Sequence, residues 1–259
     1  MSADPLRFFV GLHQPHDARH FSRAYISINR LRSRRSAVPV PSGAEVLIDS
    51  GAFTEISTHG AYRHTVAEYA ADLRRIRDLV PIVAVVAQDW MCEPFIVAKT
   101  GLSVAEHQRL TIERYDELLE HDLPAPAMPV LQGFDPADYR RHIDAYGDRL
   151  VPGMWVGVGS VCKRNASPVD VLNVLATIAG PRPDLRLHGF GLKRTALMHG
   201  GIRALLHSAD SMAWSYAARR ERRNPNDWRE AAAFEAAVLA SVALGAEPWQ
   251  ASFDWGAAA

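Results

Sequence analysis

A (β/α)8 TIM barrel is the fold this sequence predicts. Three observations carry that reading: eight short apolar or β-branched segments, longer stretches of helical periodicity between most of them, and a length of 259 residues. The expected strands are 7–12, 24–29, 45–49, 82–87, 128–132, 154–159, 185–190 and 204–210. RFFVGL and AYISIN open the series, and the connection after them, RLRSRRSAVPVPSG, is too rich in Pro and Gly for a long helix. EVLID follows, then a helical pattern over 64–79, the apolar run IVAVVA, and a second helix over 103–122. MPVLQ, MWVGVG and LRLHGF are separated by helices expected at 135–150 and 167–179. ALLHSAD is the last strand and 227–245 the closing helix. Asp or Ser near most helix starts supplies the capping oxygen that unpaired N–H groups need.

A doubly wound open sheet is the competing architecture. It normally carries a glycine fingerprint. GVGSVC and GFGLKR each supply only Gly-x-Gly and lack the third glycine, so the barrel is preferred. No repeat, low-complexity tract or linker stands out, and residues 1–259 read as one domain whose alanine-rich C-terminus is expected to fray.

Composition narrows the function. With 48% hydrophobic and 22% charged residues the chain can bury a full core, and 29 basic residues balance 29 acidic ones. Global charge therefore advertises no polyanion, and any nucleic-acid contact must come from local basic patches. Two cysteines, Cys92 and Cys162, exclude a disulfide scaffold and any zinc site needing three or four of them. Neither a membrane span nor a targeting segment is visible, so a reduced, cytoplasmic protein is expected. The spacing of the eleven histidines supports no metal triad, no cofactor is called for, and a homodimer is compatible with the sequence. Cys162 is expected to be a small core residue, and His13 and His188 are histidines that can face a cleft.

In a barrel the chemistry sits where strands end, because the βα loops form the concave face. The residues closing the apolar runs are Asn29, Asp49, Asp89, Gln132, Ser160, Lys193 and Asp210. Each acid or amide alone is as well explained as a helix cap. Three aspartates and a glutamine at successive strand ends are harder to dismiss together, since like charges in one cleft raise one another's pKa and cost stability. Carboxylates and amides read the edges of planar heterocycles, and an ionised Asp can attack an anomeric carbon. The set fits a nucleobase- or sugar-handling enzyme, with Phe53 either a stacking face or core.

These residues resemble motifs of the tRNA-guanine transglycosylase superfamily, and more closely its short DNA-acting branch, the DpdA-like 7-deazapurine DNA-modification transglycosylases. The resemblance runs in order over roughly residues 7–215. DSGAF is similar to the family's Asp-Ser-Gly-Gly-Phe and implies that Asp49, Ser50, Gly51 and Phe53 serve the base. QDWMCEP implies base-edge recognition by Asp89, and PVLQG implies a base contact from Gln132. WVGVGS implies backbone contacts from Gly157 and Gly159, RLHGFG places His188 below the base, and HSADSMAW puts Asp210 at the nucleophile position. The zinc element of the tRNA enzymes has no counterpart here, which favours DNA over tRNA. The implied reaction replaces guanine with a free 7-deazaguanine through an Asp210-glycosyl intermediate, with Asp49 as the base. A nucleosidase acting on free nucleosides and an inert nucleic-acid-binding barrel are the rivals.

Four basic clusters remain: RSRR (32–35), KRN (163–165), LKR (192–194) and ARRERR (218–223). Lys163, Arg164, Lys193 and Arg194 fall on the loop side, where a DNA backbone would pass. The aromatic neighbours of the last cluster, Trp214 and Tyr216, are open to base stacking or to burial against the barrel wall.

Overall fold

The computed structural model describes residues 6–164 and 167–244. Its strands are β1 (Arg7–Gly11), β2 (Arg23–Ser27), β3 (Glu45–Asp49), β4 (Ile82–Val86), β5 (Ala127–Met128), β6 (Val130–Leu131), β7 (Trp155–Val158), β8 (Arg186–Gly189) and β9 (Ser208–Ser211). All pair in parallel, in the order β5-β4-β3-β2-β1-β9-β8-β7-β6. Only Pro129 separates β5 from β6, so one stretch of chain pairs with β4 on one side and β7 on the other. Proline has no N–H for the ladder, which splits this strand in two. The result is a nearly closed barrel, and the open-sheet alternative falls.

The helices are α1 (Ala52–His59), α2 (Val66–Ile76), α3 (Pro94–Thr100), α4 (Val104–Leu119), α5 (Pro136–Tyr146), α6 (Pro168–Ala179), α7 (Arg194–Leu197), α8 (Gly200–Leu205), α9 (Ala213–Arg220) and α10 (Trp228–Leu244). Thr65 with Glu68 on α2 and Ser103 with Glu106 on α4 form capping boxes. Alternation along the strands divides two apolar layers. Val46 and Ile48 of β3 join the layer beneath the helices, whereas Leu47 packs inside the barrel with Phe9, Val86, Met128 and Val130. Glu45 and Asp49 share the inward row with Leu47. At the N-terminal end Glu45 binds Arg7 and Arg23, both at 2.6 Å, while at the other end Asp49 opens toward the βα loops.

Three expectations are corrected. The sequence predicts the last strand over 204–210, but α8 runs to Leu205 and the strand is Ser208–Ser211. A short apolar run has no period that separates helix from strand, and pairing of Ser208–Ser211 with β1 decides it. The strand over 24–29 stops at Ser27, and Ile28–Arg30 turn as a 3-10 helix, so Asn29 does not end a strand. Helices α1, α3, α7, α8 and α9 have no counterpart among the expected helices, being too short to show a repeating apolar face. The C-terminal residues 245–259, expected to fray, lie outside the described residues. Among the described residues no helix is long and apolar enough to cross a membrane.

Candidate active site

A cleft of about 300 Å3 opens at the C-terminal ends of the strands, near the lower end of the ~300–1,000 Å3 common for small-ligand sites. Asp49, Phe53, Asp89, Gln132, Gly159 and Asp210 all line it, together with Tyr25, Glu93, Ser160 and Phe190. Of the sequence-predicted residues, Ser50, Gly51, Gly157 and His188 do not reach its wall; Gly51, Gly157 and His188 act on it from behind.

Asp49 closes β3 on the inward row. Its Oδ1 accepts from the Tyr25 hydroxyl at 3.0 Å and its Oδ2 from the Gly51 N–H at 3.1 Å. Gly51 makes that second bond with φ at +80°, and a side chain there would also run into Asn29. Burial is the main cause that raises the Asp49 pKa; the Ser27, Tyr25 and Gly51 hydrogen bonds oppose it and the nearby Asp210 charge adds to it. Register explains why Tyr25 serves Asp49. Tyr25 pairs with Leu47 and Ser27 with Asp49, so these side chains share the inner face.

Asp89 and Gln132 follow β4 and β6 and bond directly, the Gln132 amide donating to Asp89 Oδ2. Gln132 Oε1 accepts from the Ser160 hydroxyl at 2.8 Å, and Ser160 Oγ in turn accepts the Cys92 N–H at 3.1 Å and lies 3.0 Å from Glu93 Oε2. Burial pushes the Asp89 carboxyl up to about 7, against the Gln132 hydrogen bond and with help from the Asp49 and Glu93 charges. The strand-end glycines make this packing possible. A methyl at Gly159 would collide with the Gln132 amide, and one at Gly157 with the Phe190 ring.

Asp210 is held from behind by a continuous chain that runs from half-buried Trp155 to buried His188. Trp155 Nε1–H donates to Ser208 Oγ at 2.7 Å, Ser208 Oγ lies 2.9 Å from His188 Nδ1, and His188 Nε2 lies 3.2 Å from Asp210 Oδ1. An ionised Asp210 only accepts, so His188 donates Nε2–H to it, and in the neutral ring Nδ1 is then left to accept the Ser208 hydroxyl proton. The same Oδ1 accepts the Gly191 N–H at 3.0 Å, at a backbone turn with φ of +62°. Both donors act on one carboxylate oxygen and so fix the direction of the other. His188 is fully buried behind Asp210, whereas its motif position implies a place beneath the base.

The basic residues divide. Lys193 and Arg194 line a second cleft that adjoins the first, whereas Arg164 stacks its guanidinium 4.4 Å from the Phe134 ring and lines neither. The Lys163 side chain lies outside the described part of the structure. Cys162, expected in the core, is only half-buried and lines both clefts. His13 bonds Ser215 Oγ at 2.8 Å and stays off both walls. Tyr25, Glu93, Gly191, Ser208 and Trp155 join the site without having been singled out by sequence. Glu93, Trp155 and Ser208 lie within the QDWMCEP, WVGVGS and HSADSMAW motifs without a role assigned there, Gly191 lies in the GFG stretch that reads as a weak dinucleotide motif, and Tyr25 carries no signal.

The family model for DpdA, DeoxyPurine in DNA protein A, matches residues 6–239. The chain belongs to the DpdA family. DpdA membership ties it to deoxypurine modification of DNA, in an enzyme of transglycosylase type, and makes DNA its polymer partner. The match spans the barrel and every cleft residue named above. No curated protein matches the sequence.

Proposed function

We propose that this DpdA protein exchanges guanine in DNA for a free 7-deazaguanine such as preQ0, through a covalent glycosyl ester on Asp210. The observation that carries the reading is the division of the cleft. A base-reading pair, Asp89 with Gln132, and two further carboxylates, Asp49 and Asp210, line one cavity with an aromatic face at its rim.

Guanine offers a ring N–H and an amino group to Asp89 and a carbonyl to the Gln132 amide, and Phe53, half exposed on the first turn of α1, covers its face. The target nucleotide must leave the helix first, because its glycosidic bond is hidden in a duplex. The Asp210 oxygen not held by His188 and Gly191 attacks C1′, and the C1′–N9 bond breaks with its electron pair going to guanine. Asp49, whose burial favours the protonated form, gives the leaving base a proton. The incoming base enters the vacated cleft, returns a proton to Asp49 from its ring N–H, and attacks C1′ as the ester bond to Asp210 breaks. Protons and electron pairs balance over the two halves, and no redox step or nucleotide hydrolysis is needed.

Displacement of labelled guanine from DNA, from tRNA and from free nucleosides tests the proposal. Release from DNA that depends on added 7-deazaguanine is expected; release from nucleosides alone would overturn it.

A further inference from the structure

Beside the base cleft lies a larger one, of about 820 Å3, and the two share the wall made by Cys162, Gly191 and Met212. Its chemistry differs from that of the base cleft. Lys193, Arg194 and Arg220 line it and are exposed, and neither arginine is in an ion pair among the described residues. Glu221 is the acid on its wall, and Arg223 binds that carboxylate at 2.7 Å. The surface is therefore cationic where it faces the cleft.

Helix α9 supplies the second feature. Trp214 faces inward, 3% exposed, with Nε1–H donating to the Gly11 carbonyl at 2.9 Å, so it belongs to the barrel wall. Two positions on, Tyr216 is 56% exposed and lines the cleft, and its ring stacks on no other ring among the described residues. A large bare aromatic face within a cationic groove is what single-stranded nucleic acid binds: bases stack on the ring while phosphates meet the cations.

We propose that this second cleft holds the DNA strand next to the target nucleotide, with the neighbouring base stacked on Tyr216 and the backbone phosphates on Lys193, Arg194 and Arg220. The inference rests on the base-exchange reading of the first cleft. Asp210 is 3% exposed, so a nucleotide reaches it only when extruded, and its flanking sugar-phosphates then leave over the shared wall. A base that stacks on Tyr216 has left its own stack, so the cleft takes an opened strand in place of a stacked duplex.

Fluorescence anisotropy with a short labelled single strand containing one guanine, without the incoming base and over a range of salt, is the test. Tyr216→Ala is expected to weaken binding roughly five- to hundredfold, the loss of one base–aromatic stack, and Tyr216→Phe to keep it. The Arg194→Ala/Arg220→Ala pair should lower the slope of log affinity against log salt by about 1.4, or about 0.7 for each phosphate no longer neutralised. Unchanged affinity and slope in these variants, or a duplex bound as tightly as the single strand, would overturn the inference. The two readings fail separately. Strand binding with this dependence but no guanine release from wild-type protein removes base exchange alone; guanine exchange on DNA with kcat/KM unaltered by these substitutions removes the strand cleft alone.

Discussion

Asp89→Asn should make the protein more stable and less able to bind its base. The wild-type carboxyl titrates at about 7 instead of 3.8, so holding it ionised in the fold costs about 3 pKa units at about 1.4 kcal/mol each, or about 4 kcal/mol. Between pH 4 and 7 the folded protein keeps a proton that the unfolded chain has lost, so this residue's contribution to stability falls as pH rises through that window and is constant above it. Asparagine has no such titration, and its carbonyl can still accept from the Gln132 amide. At pH 8 the variant should gain up to about 4 kcal/mol, water entering the open cleft making this an upper bound. At about 2 °C per kcal/mol for a chain of this size, Tm rises by up to about 8 °C. The gain should shrink toward zero by pH 4. Thermal melts at pH 4, 6 and 8 measure it, and a Tm difference that is absent, or that does not vary with pH, would show that Asp89 is not held protonated by burial.

The same titration sets base affinity. Guanine donates to an ionised Asp89, so calorimetric affinity should fall by up to about tenfold per pH unit below 7, and a flat profile from pH 5 to 8 would contradict that role. Gly159→Ala should displace the Gln132 amide from Asp89 and Ser160 and abolish measurable guanine binding while the barrel still melts cooperatively; normal binding would show that Gln132 does not read the base. His188→Ala leaves Asp210 Oδ1 with the Gly191 N–H alone, and kcat for exchange should drop roughly a hundredfold through misalignment of the carboxylate with KM for DNA little changed. An unaltered kcat would remove the histidine from the machinery.

How far the site can be read from sequence depends on whether a residue acts through its own strand or through a neighbour. Asp49 is legible because Glu45, Leu47 and Asp49 lie two apart on a run that ends there, so its inward direction follows from the period of a strand. Asp89 and Gln132 are legible in the same way, as polar stops to apolar runs, whereas Asp210 follows a run that folds as the end of α8 and lies inside β9. Tyr25 is not. In AYISIN it reads as one more β-former, and its bond to Asp49 exists only because β2 and β3 pair with Ser27 opposite Asp49. Ser208 and Trp155 are hidden for that reason too: they meet His188 across three separate strands. His188 shows the limit of motif position, since matching a residue that packs below the base does not reveal that a histidine there turns its ring nitrogen to Asp210. The closure of the barrel is legible in the count of apolar runs, but the break at Pro129 needs the pairing partners on either side.

Trapping the covalent intermediate tests whether Asp210 is the nucleophile. Denaturing wild-type protein during turnover on guanine-containing DNA, followed by mass spectrometry of its peptides, should find an abasic DNA fragment joined to the peptide that carries Asp210. Asp210→Ala should give neither adduct nor guanine release. An adduct on another residue, or guanine exchange that survives Asp210→Ala, would contradict the account.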